Sequence, residues 1–305
     1  MPMVKLVKRA DIIYRYVKEK RILTHMDCKP SQALVERVCI GLGFKLTKAG
    51  DKTCEVNIAE HIESDPRHSL ILAYYSMALT AVFLQEGCLA SLLNKNKTAN
   101  LKELLPQAEA LYDVFKLESF CETGSLRQQL KFFVKENIFE LDIEKEAASI
   151  TGTKKAGRML RFFGQLHGAL VDTYLIVLLT VEYINGKPMV LPIRKLIKEL
   201  HASFKELYTE RVLPHLHSCL KDVIRTALRR FEQLGFCVMR SFVNKKGSLN
   251  TFVQSPIEKE TEIQEMIMML QSVRDDHRGP HEDPIRPGAI DDEIANVIQR
   301  MQGPL

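Results

Sequence analysis

Two histidines are each followed, five residues later, by an aspartate: His167 by Asp172 and His217 by Asp222. An imidazole can remove the proton of a hydroxyl group when a carboxylate within hydrogen-bond reach orients it. Side chains five residues apart on a continuous helix lie about 140° apart, because each residue advances the helix by about 100°. Both pairs fall within predicted helices, Gly157 to Ile184 and His215 to Leu234. We therefore predict that neither pair is catalytic and that the chain has no catalytic centre.

Two further histidines, His277 and His281, stand four residues apart beside several carboxylates. On a rigid helix this spacing would suggest a metal site. Gly279 and Pro280 lie between them and break a helix, which favours a solvated acidic segment. We predict no metal site and no cofactor. The neighbouring carboxylates are Asp275, Asp276, Glu282 and Asp283.

A cluster of basic residues begins on the predicted helix from His215 to Leu234 and continues on the hairpin predicted after it. Arginine and lysine favour contacts with phosphate groups. A solvated face is the ordinary explanation, and contact with an anionic lipid headgroup or the phosphates of coenzyme A is the functional alternative. The candidate phosphate- or membrane-contacting residues are Arg225, Arg229, Arg230, Arg240, Lys245 and Lys246.

The composition is that of an ordinary globular protein: 305 residues, 46% hydrophobic and 27% charged, with a net charge of +5. The seven cysteines form no C-x-x-C pair, which disfavours a disulfide framework or a cysteine-based zinc site and indicates a reducing, intracellular setting. The first residues are too polar for a signal peptide. The longest uncharged stretch, Leu70 to Leu84, falls short of the roughly 20 residues that span a bilayer. The second apolar stretch, Ala169 to Val181, carries Asp172 near its start, and we expect both stretches to be core helices.

Hydrophobic periodicity predicts an α+β chain that is mainly helical, with long helices and short helix-plus-hairpin units that resemble a winged helix. The three predicted units contain a helix from Ser31 to Leu42 with strands Phe44 to Leu46 and Cys54 to Ile58; a helix from Ser125 to Glu136 with strands Ile138 to Leu141 and Ala148 to Thr151; and a helix from His215 to Leu234 with strands Phe236 to Phe242 and Leu249 to Val253. Ser31 is the predicted N-cap of the first helix, and Gly43 and Gly235 are predicted helix stops. The other predicted helices are Ser69 to Leu93, Leu101 to Phe115, Gly157 to Ile184 and Leu191 to Arg211.

Two connecting segments divide the chain. We expect a surface loop at Asn94 to Asn100 and a linker at Ser272 to Gly288, where Asp, Pro, Gly and His accumulate. Beyond it, one face of a short helix carries Ile290, Ile294, Val297, Ile298 and Met301, and we expect this helix to dock on the body. The predicted parts are an N-terminal segment 1–66, a helical domain 67–271 and a linker with terminal helix 272–305.

Several segments, taken in order, resemble the C-terminal region of mitochondrial-type glycerol-3-phosphate acyltransferases and the related dihydroxyacetone phosphate acyltransferases. The order and spacing of these diffuse motifs carry the resemblance. They are Ile12 to Arg15, Ala33 to Phe44, His68 to Leu93 with its tyrosine and Val-Phe pair, Arg161 to Tyr174, and Phe231 to Gly235.

The resemblance implies a role in glycerolipid synthesis. In the family, an upstream domain transfers the acyl chain of acyl-coenzyme A, using a histidine base and a Pro-Glu-Gly phosphate-binding segment, and no such segment occurs in this sequence. The resemblance therefore implies an accessory region that packs on or regulates the acyltransferase domain. It also implies a location at the cytosolic face of the mitochondrial outer membrane or the endoplasmic reticulum, and an anionic membrane surface or acyl-coenzyme A as a further partner.

A helix followed by a basic hairpin is also the outline of a winged-helix nucleic-acid binder or a protein-interaction module. The helix from His215 leaves only a narrow polar face and offers no Asn or Gln for base reading before Gln233. This second hypothesis is therefore the weaker one, and salt-dependent binding to duplex DNA would distinguish it.

Overall fold

A computed structural model describes residues 6–8, 10–11, 13–15, 31–42, 44–48, 54–56, 66–95, 98–119, 125–142, 147–187, 189–243, 249–255, 257–275 and 288–302. The chain forms two compact units, residues 1–82 and 83–305. The described part is mostly helical with small antiparallel sheets, which confirms the α+β, mainly α fold class.

The first unit contains helix α1 (Gln32–Gly41), the paired strands β1 (Leu46–Lys48) and β2 (Cys54–Val56), and helix α2 (Pro66–Val82). The Ser31 hydroxyl accepts a hydrogen bond from the Leu34 amide, which confirms the predicted N-cap. Val35, Cys39 and Phe44 form a small buried cluster. The predicted stop at Gly43 lies outside the described residues.

Helix α2 is more exposed than its composition predicts. The sequence from Ser69 to Leu84 holds no charged residue, and we expected a core helix there. Tyr74 and Tyr75 are nevertheless 70% and 53% exposed, and Ala78 is exposed as well. The core prediction was therefore wrong for this face of α2.

The second unit begins with a break at Phe83, where the sequence had predicted one continuous helix. Its helices are α3 (Leu84–Lys95), α4 (Leu101–Phe115), α5 (Leu126–Lys135), α6 (Lys154–Ile184), α7 (Ile193–Thr209), α8 (Lys221–Gln233), α9 (Glu260–Asp275) and α10 (Ala289–Gln302). Its strands are β3 (Thr98–Asn100), β4 (Phe139–Asp142), β5 (Ala147–Ile150), β6 (Leu191–Pro192), β7 (Val238–Val243) and β8 (Leu249–Gln254).

Helix α6 is the centre of this unit. By length and composition alone it could cross a membrane, but 83% of its most apolar window is buried inside the fold. Helices α3, α8, α9 and α10 all contact it. The prediction that Ala169 to Val181 belongs to a core helix is therefore confirmed.

Two three-stranded sheets follow the orders β3-β5-β4 and β6-β8-β7. The sequence predicted the hairpin in each sheet. It did not predict the short third strand of each sheet, β3 beside β5 and β6 beside β8. The expected surface loop ends in β3, and Asn100 then caps α4 by accepting from the Lys102 amide. Gly235 adopts a positive φ of 76°, which confirms it as the stop after α8.

The C-terminal helices pack on the body. Helix α9 buries Ile263, Ile267, Leu270 and Val273, and it extends through Asp275 into the predicted linker, so residues 272–275 are helical instead. Residues 276–287 lie outside the described part. Helix α10 contacts α7 and α6, which confirms the expected docking.

Candidate functional site

His167 lies on α6 and faces α3. Its Nδ1 is 3.1 Å from the Ser91 hydroxyl, and its Nε2 is 3.6 Å from the Cys88 sulfur. The Ser91 hydroxyl donates its hydrogen to the Gly87 carbonyl at 2.7 Å, so its oxygen accepts from Nδ1–H. Nε2 is then the nitrogen that accepts a hydrogen bond from the Cys88 thiol.

The Cys88 thiol does not act as a nucleophile in this arrangement. Burial, and secondarily the nearby Glu86 carboxylate, raise its pKa well above the ordinary value. The thiol therefore stays protonated, whereas a reactive cysteine needs its thiolate form. His167 is itself only 1% exposed. The group formed by Cys88, Ser91 and His167 is a buried link between α3 and α6.

Asp172 faces a different helix. Its Oδ1 accepts a hydrogen bond from the Arg274 Nε at 2.7 Å, and Arg274 Nη2 donates to the Val212 carbonyl at 3.1 Å. Asp172 is 3% exposed and Arg274 is 8% exposed. His167 therefore contacts α3 while Asp172 contacts α9, and the predicted divergence of this pair on one helix is confirmed.

The second pair has another geometry than predicted. His217 lies in a short 3₁₀ helix, Leu216–Cys219, and Leu220 is extended before α8 begins. The assumption of one continuous helix was wrong here, because the backbone breaks between the two residues. The Asp222 side chain is 91% exposed and pairs with Arg225. Its carboxylate thus has a surface partner.

A polar cluster that the sequence reasoning missed lies where α4, α6 and α8 meet. The Tyr174 hydroxyl donates to the Glu118 carboxylate at 3.0 Å. Burial raises the pKa of Glu118 to about 7, although the hydrogen bond from Tyr174 opposes this shift. Arg230 is 3% exposed and pairs with Asp113. Asp113 lies near the end of α4 and Glu118 in the short 3₁₀ helix Lys116–Glu118 that follows it, and the sequence pattern gave no sign that either carboxylate would be near Tyr174 or Arg230.

Only some of the candidate phosphate- or membrane-contacting residues lie on the surface. Arg225, Arg229 and Arg240 are exposed, and Arg225 is paired with Asp222. Arg230 does not belong to this face, because its guanidinium is buried against Asp113 and Gln233. Lys245 and Lys246 lie outside the described residues. Phosphate or membrane contact by the exposed arginines remains a prediction.

The predicted absence of a metal site concerns His277 and His281, which lie outside the described residues. Within the described ranges, no group of His, Cys, Asp and Glu side chains could hold a metal ion.

The fold and these contacts define an α+β region whose histidine–aspartate pair on α6 is part of a packed core. Residues 1–239 match the glycerol-3-phosphate acyltransferase C-terminal region, and the chain belongs to this family. A comparison with curated proteins gave no match. The family match ends at the second residue of β7, so most of the last hairpin and helices α9 and α10 lie beyond it.

Proposed function

We propose that this chain is an accessory region of glycerolipid synthesis that packs on an acyl-CoA-dependent acyltransferase domain. The observation that carries the proposal is the state of His167 and Asp172. Each is buried and bound to a different helix, so Asp172 does not serve as the carboxylate that orients the His167 imidazole for general-base catalysis. Membership of the family supplies the link to glycerolipid synthesis.

The exposed face of α2 supports a packing role. Tyr74 and Tyr75 present two aromatic rings to solvent, with ring centroids 5.6 Å apart, on a segment without charge. Tyrosine is enriched and charged residues are depleted at the centres of protein–protein interfaces. We propose this face as the surface that receives the acyltransferase domain. By family membership we also propose a location at the cytosolic face of the mitochondrial outer membrane or the endoplasmic reticulum.

The test is acyl transfer from acyl-coenzyme A to glycerol 3-phosphate in detergent solution. The chain alone should give no turnover, and robust turnover would overturn the accessory role. Added to a separately purified acyltransferase domain of a family enzyme, the chain should raise activity or thermal stability. The double variant Tyr74→Ser/Tyr75→Ser should lose this effect.

A matched control keeps the interpretation specific. Met268→Ser removes another exposed apolar side chain, 59% exposed on α9, and should retain full effect. Equal losses in the tyrosine and Met268 variants would contradict a specific role for α2.

A further inference from the structure

Strand β7 is an outer strand of the β6-β8-β7 sheet. It pairs with β8 over six residues, from Val238 opposite Gln254 to Val243 opposite Leu249. The Ser241 and Thr251 hydroxyls are 2.9 Å apart across the pair, which fixes this register on one face of the hairpin. At the start of β7, the Met239 amide donates to the Glu232 carboxylate and ties the strand to the end of α8.

The distal half of β7 presents apolar side chains to solvent. Phe242 is 58% exposed and Val243 is 69% exposed. Single exposed apolar residues are usual on protein surfaces, but two neighbouring ones form a patch that needs an explanation. The Phe242 ring lies 6.1 Å from that of Phe252 on β8, so a neighbouring ring supports it. These adjacent side chains project from the two faces of a narrow hairpin, because successive strand residues alternate.

All the charged side chains of this hairpin are positive. No acidic residue occurs between Glu232 and Glu258 in the sequence. The exposed Arg240 lies two residues before Phe242 and on the same side of β7. Lys245 and Lys246 follow in the sequence and add two positive charges. Exposed apolar side chains and cations are thus combined on a stretch of chain that carries no carboxylate of its own.

We propose that the β7–β8 hairpin is an interfacial contact for an anionic phospholipid bilayer. Phe242 and Val243 enter the boundary between headgroups and acyl chains, and Arg240 binds the lipid phosphates. A nucleic acid would satisfy the arginine but would leave the exposed valine and phenylalanine without an apolar environment, so the lipid surface fits the whole set. The inference rests on the membrane location proposed above and names the surface and the lipid chemistry.

The absence of tryptophan from the chain allows a direct test. The variant Phe242→Trp carries a single indole, and its emission should shift to the blue and be quenched by brominated lipids when vesicles of phosphatidylcholine and phosphatidylglycerol are added. Pure phosphatidylcholine vesicles should bind more weakly. Val190→Trp, at a site 55% exposed next to β6, is the matched control and should show no shift. An equal shift at both positions, or none at Phe242→Trp, overturns the proposal.

Sedimentation with the same anionic vesicles gives the energetic test. Arg240→Gln should weaken binding about five-fold, the usual effect of one basic residue near such a surface. Phe242→Ser/Val243→Ser should weaken it by about ten-fold or more, from the apolar area no longer transferred. Arg194 is an exposed arginine on α7, and the control variant Arg194→Gln should bind the vesicles as the unaltered chain does. Tight binding of duplex DNA or coenzyme A, with no binding to vesicles, would overturn the lipid assignment.

The two proposals fail in different experiments. Acyl transfer in detergent, measured with the added acyltransferase domain, depends on packing and not on a bilayer. If Phe242→Ser/Val243→Ser keeps that activity and loses vesicle binding, both proposals stand. If activity responds to the chain while vesicles never bind, only the hairpin proposal is overturned.

Discussion

Arg274 on α9 donates from Nε to the Asp172 carboxylate on α6 at 2.7 Å, across 102 residues of sequence. Asp172 belongs to the segment that matches the acyltransferase family, whereas Arg274 lies beyond the match. A buried carboxylate is costly unless it is paired. The segment after the family match therefore supplies the counter-charge that the core of the matched segment requires.

Replacing Arg274 should reveal this dependence. We expect Arg274→Met to lower the free energy of unfolding by about 3–5 kcal/mol, because it leaves Asp172 buried without a positive partner. The double variant Arg274→Met/Asp172→Asn should recover part of the loss. Urea unfolding followed by circular dichroism measures both.

The exposed pair Asp222–Arg225 is the control for this prediction. Arg225→Ala should change stability by less than about 1 kcal/mol, since surface ion pairs contribute little. Similar losses for Arg225→Ala and Arg274→Met would contradict a special role of the buried pair.

The close approach of α3 and α6 gives a second prediction. A methyl group added at Gly87 would lie 2.9 Å from the His167 Cβ, whereas one added at Gly157 would meet nothing within 4 Å. We expect Gly87→Ala to destabilise the protein by about 1–3 kcal/mol through overpacking. Gly157→Ala, near the start of α6, should stabilise it by about 0.5–1 kcal/mol. Thermal melts that rank the two variants in the opposite order would disprove this packing.

Thiol reactivity tests the buried cysteines. Burial raises the pKa of Cys219 and of Cys237 to about 12, and raises that of Cys88 well above its usual value. We therefore expect iodoacetamide at pH 8 to leave these three thiols unmodified in the native protein and to alkylate them after unfolding. Peptide mass spectrometry identifies each site. Rapid native labelling of Cys88 would contradict its place in the core.

The Glu118 carboxyl predicts a pH dependence. Its pKa rises on folding from 4.5 to about 7, so the neutral form stabilises the fold at low pH and this contribution is lost as pH rises through about 7. Relative to the unaltered chain, Glu118→Gln should therefore gain stability between about pH 5 and 7 and keep that advantage above it. Unfolding midpoints across this range provide the measurement.

Tyr174→Phe checks the cause of that dependence. The tyrosine hydroxyl lowers the pKa of Glu118, so its removal should move the transition to higher pH. Parallel pH profiles for the unaltered chain, Glu118→Gln and Tyr174→Phe would show that Glu118 does not titrate in this range.

Local sequence signals predicted much of the fold. The cap at Ser31, the stop at Gly235 and the helix Leu101–Phe115 are all present as predicted, because each depends on neighbours within a few residues. The strands β3 and β6 were missed because two or three residues cannot show an alternating pattern. Each forms by pairing with a strand that is distant in the sequence.

In the candidate site as well, features set by local geometry could be predicted, whereas contacts between residues distant in the sequence could not. The divergence of His167 and Asp172 follows from helix geometry and could be predicted. The burial of Arg230 could not, since its partner Asp113 lies 117 residues away on α4. Helix spacing placed Arg230 beside Arg229, but only the packed structure distinguishes the inward guanidinium from the outward one.

The position of α6 has a consequence for biosynthesis. Its apolar surface leaves the ribosome well before α9, which covers it and brings Arg274 to Asp172. At roughly 5–20 residues per second of synthesis, that surface stays uncovered for several seconds. The nascent polypeptide therefore passes through an aggregation-prone interval in which a chaperone has an exposed apolar helix to hold.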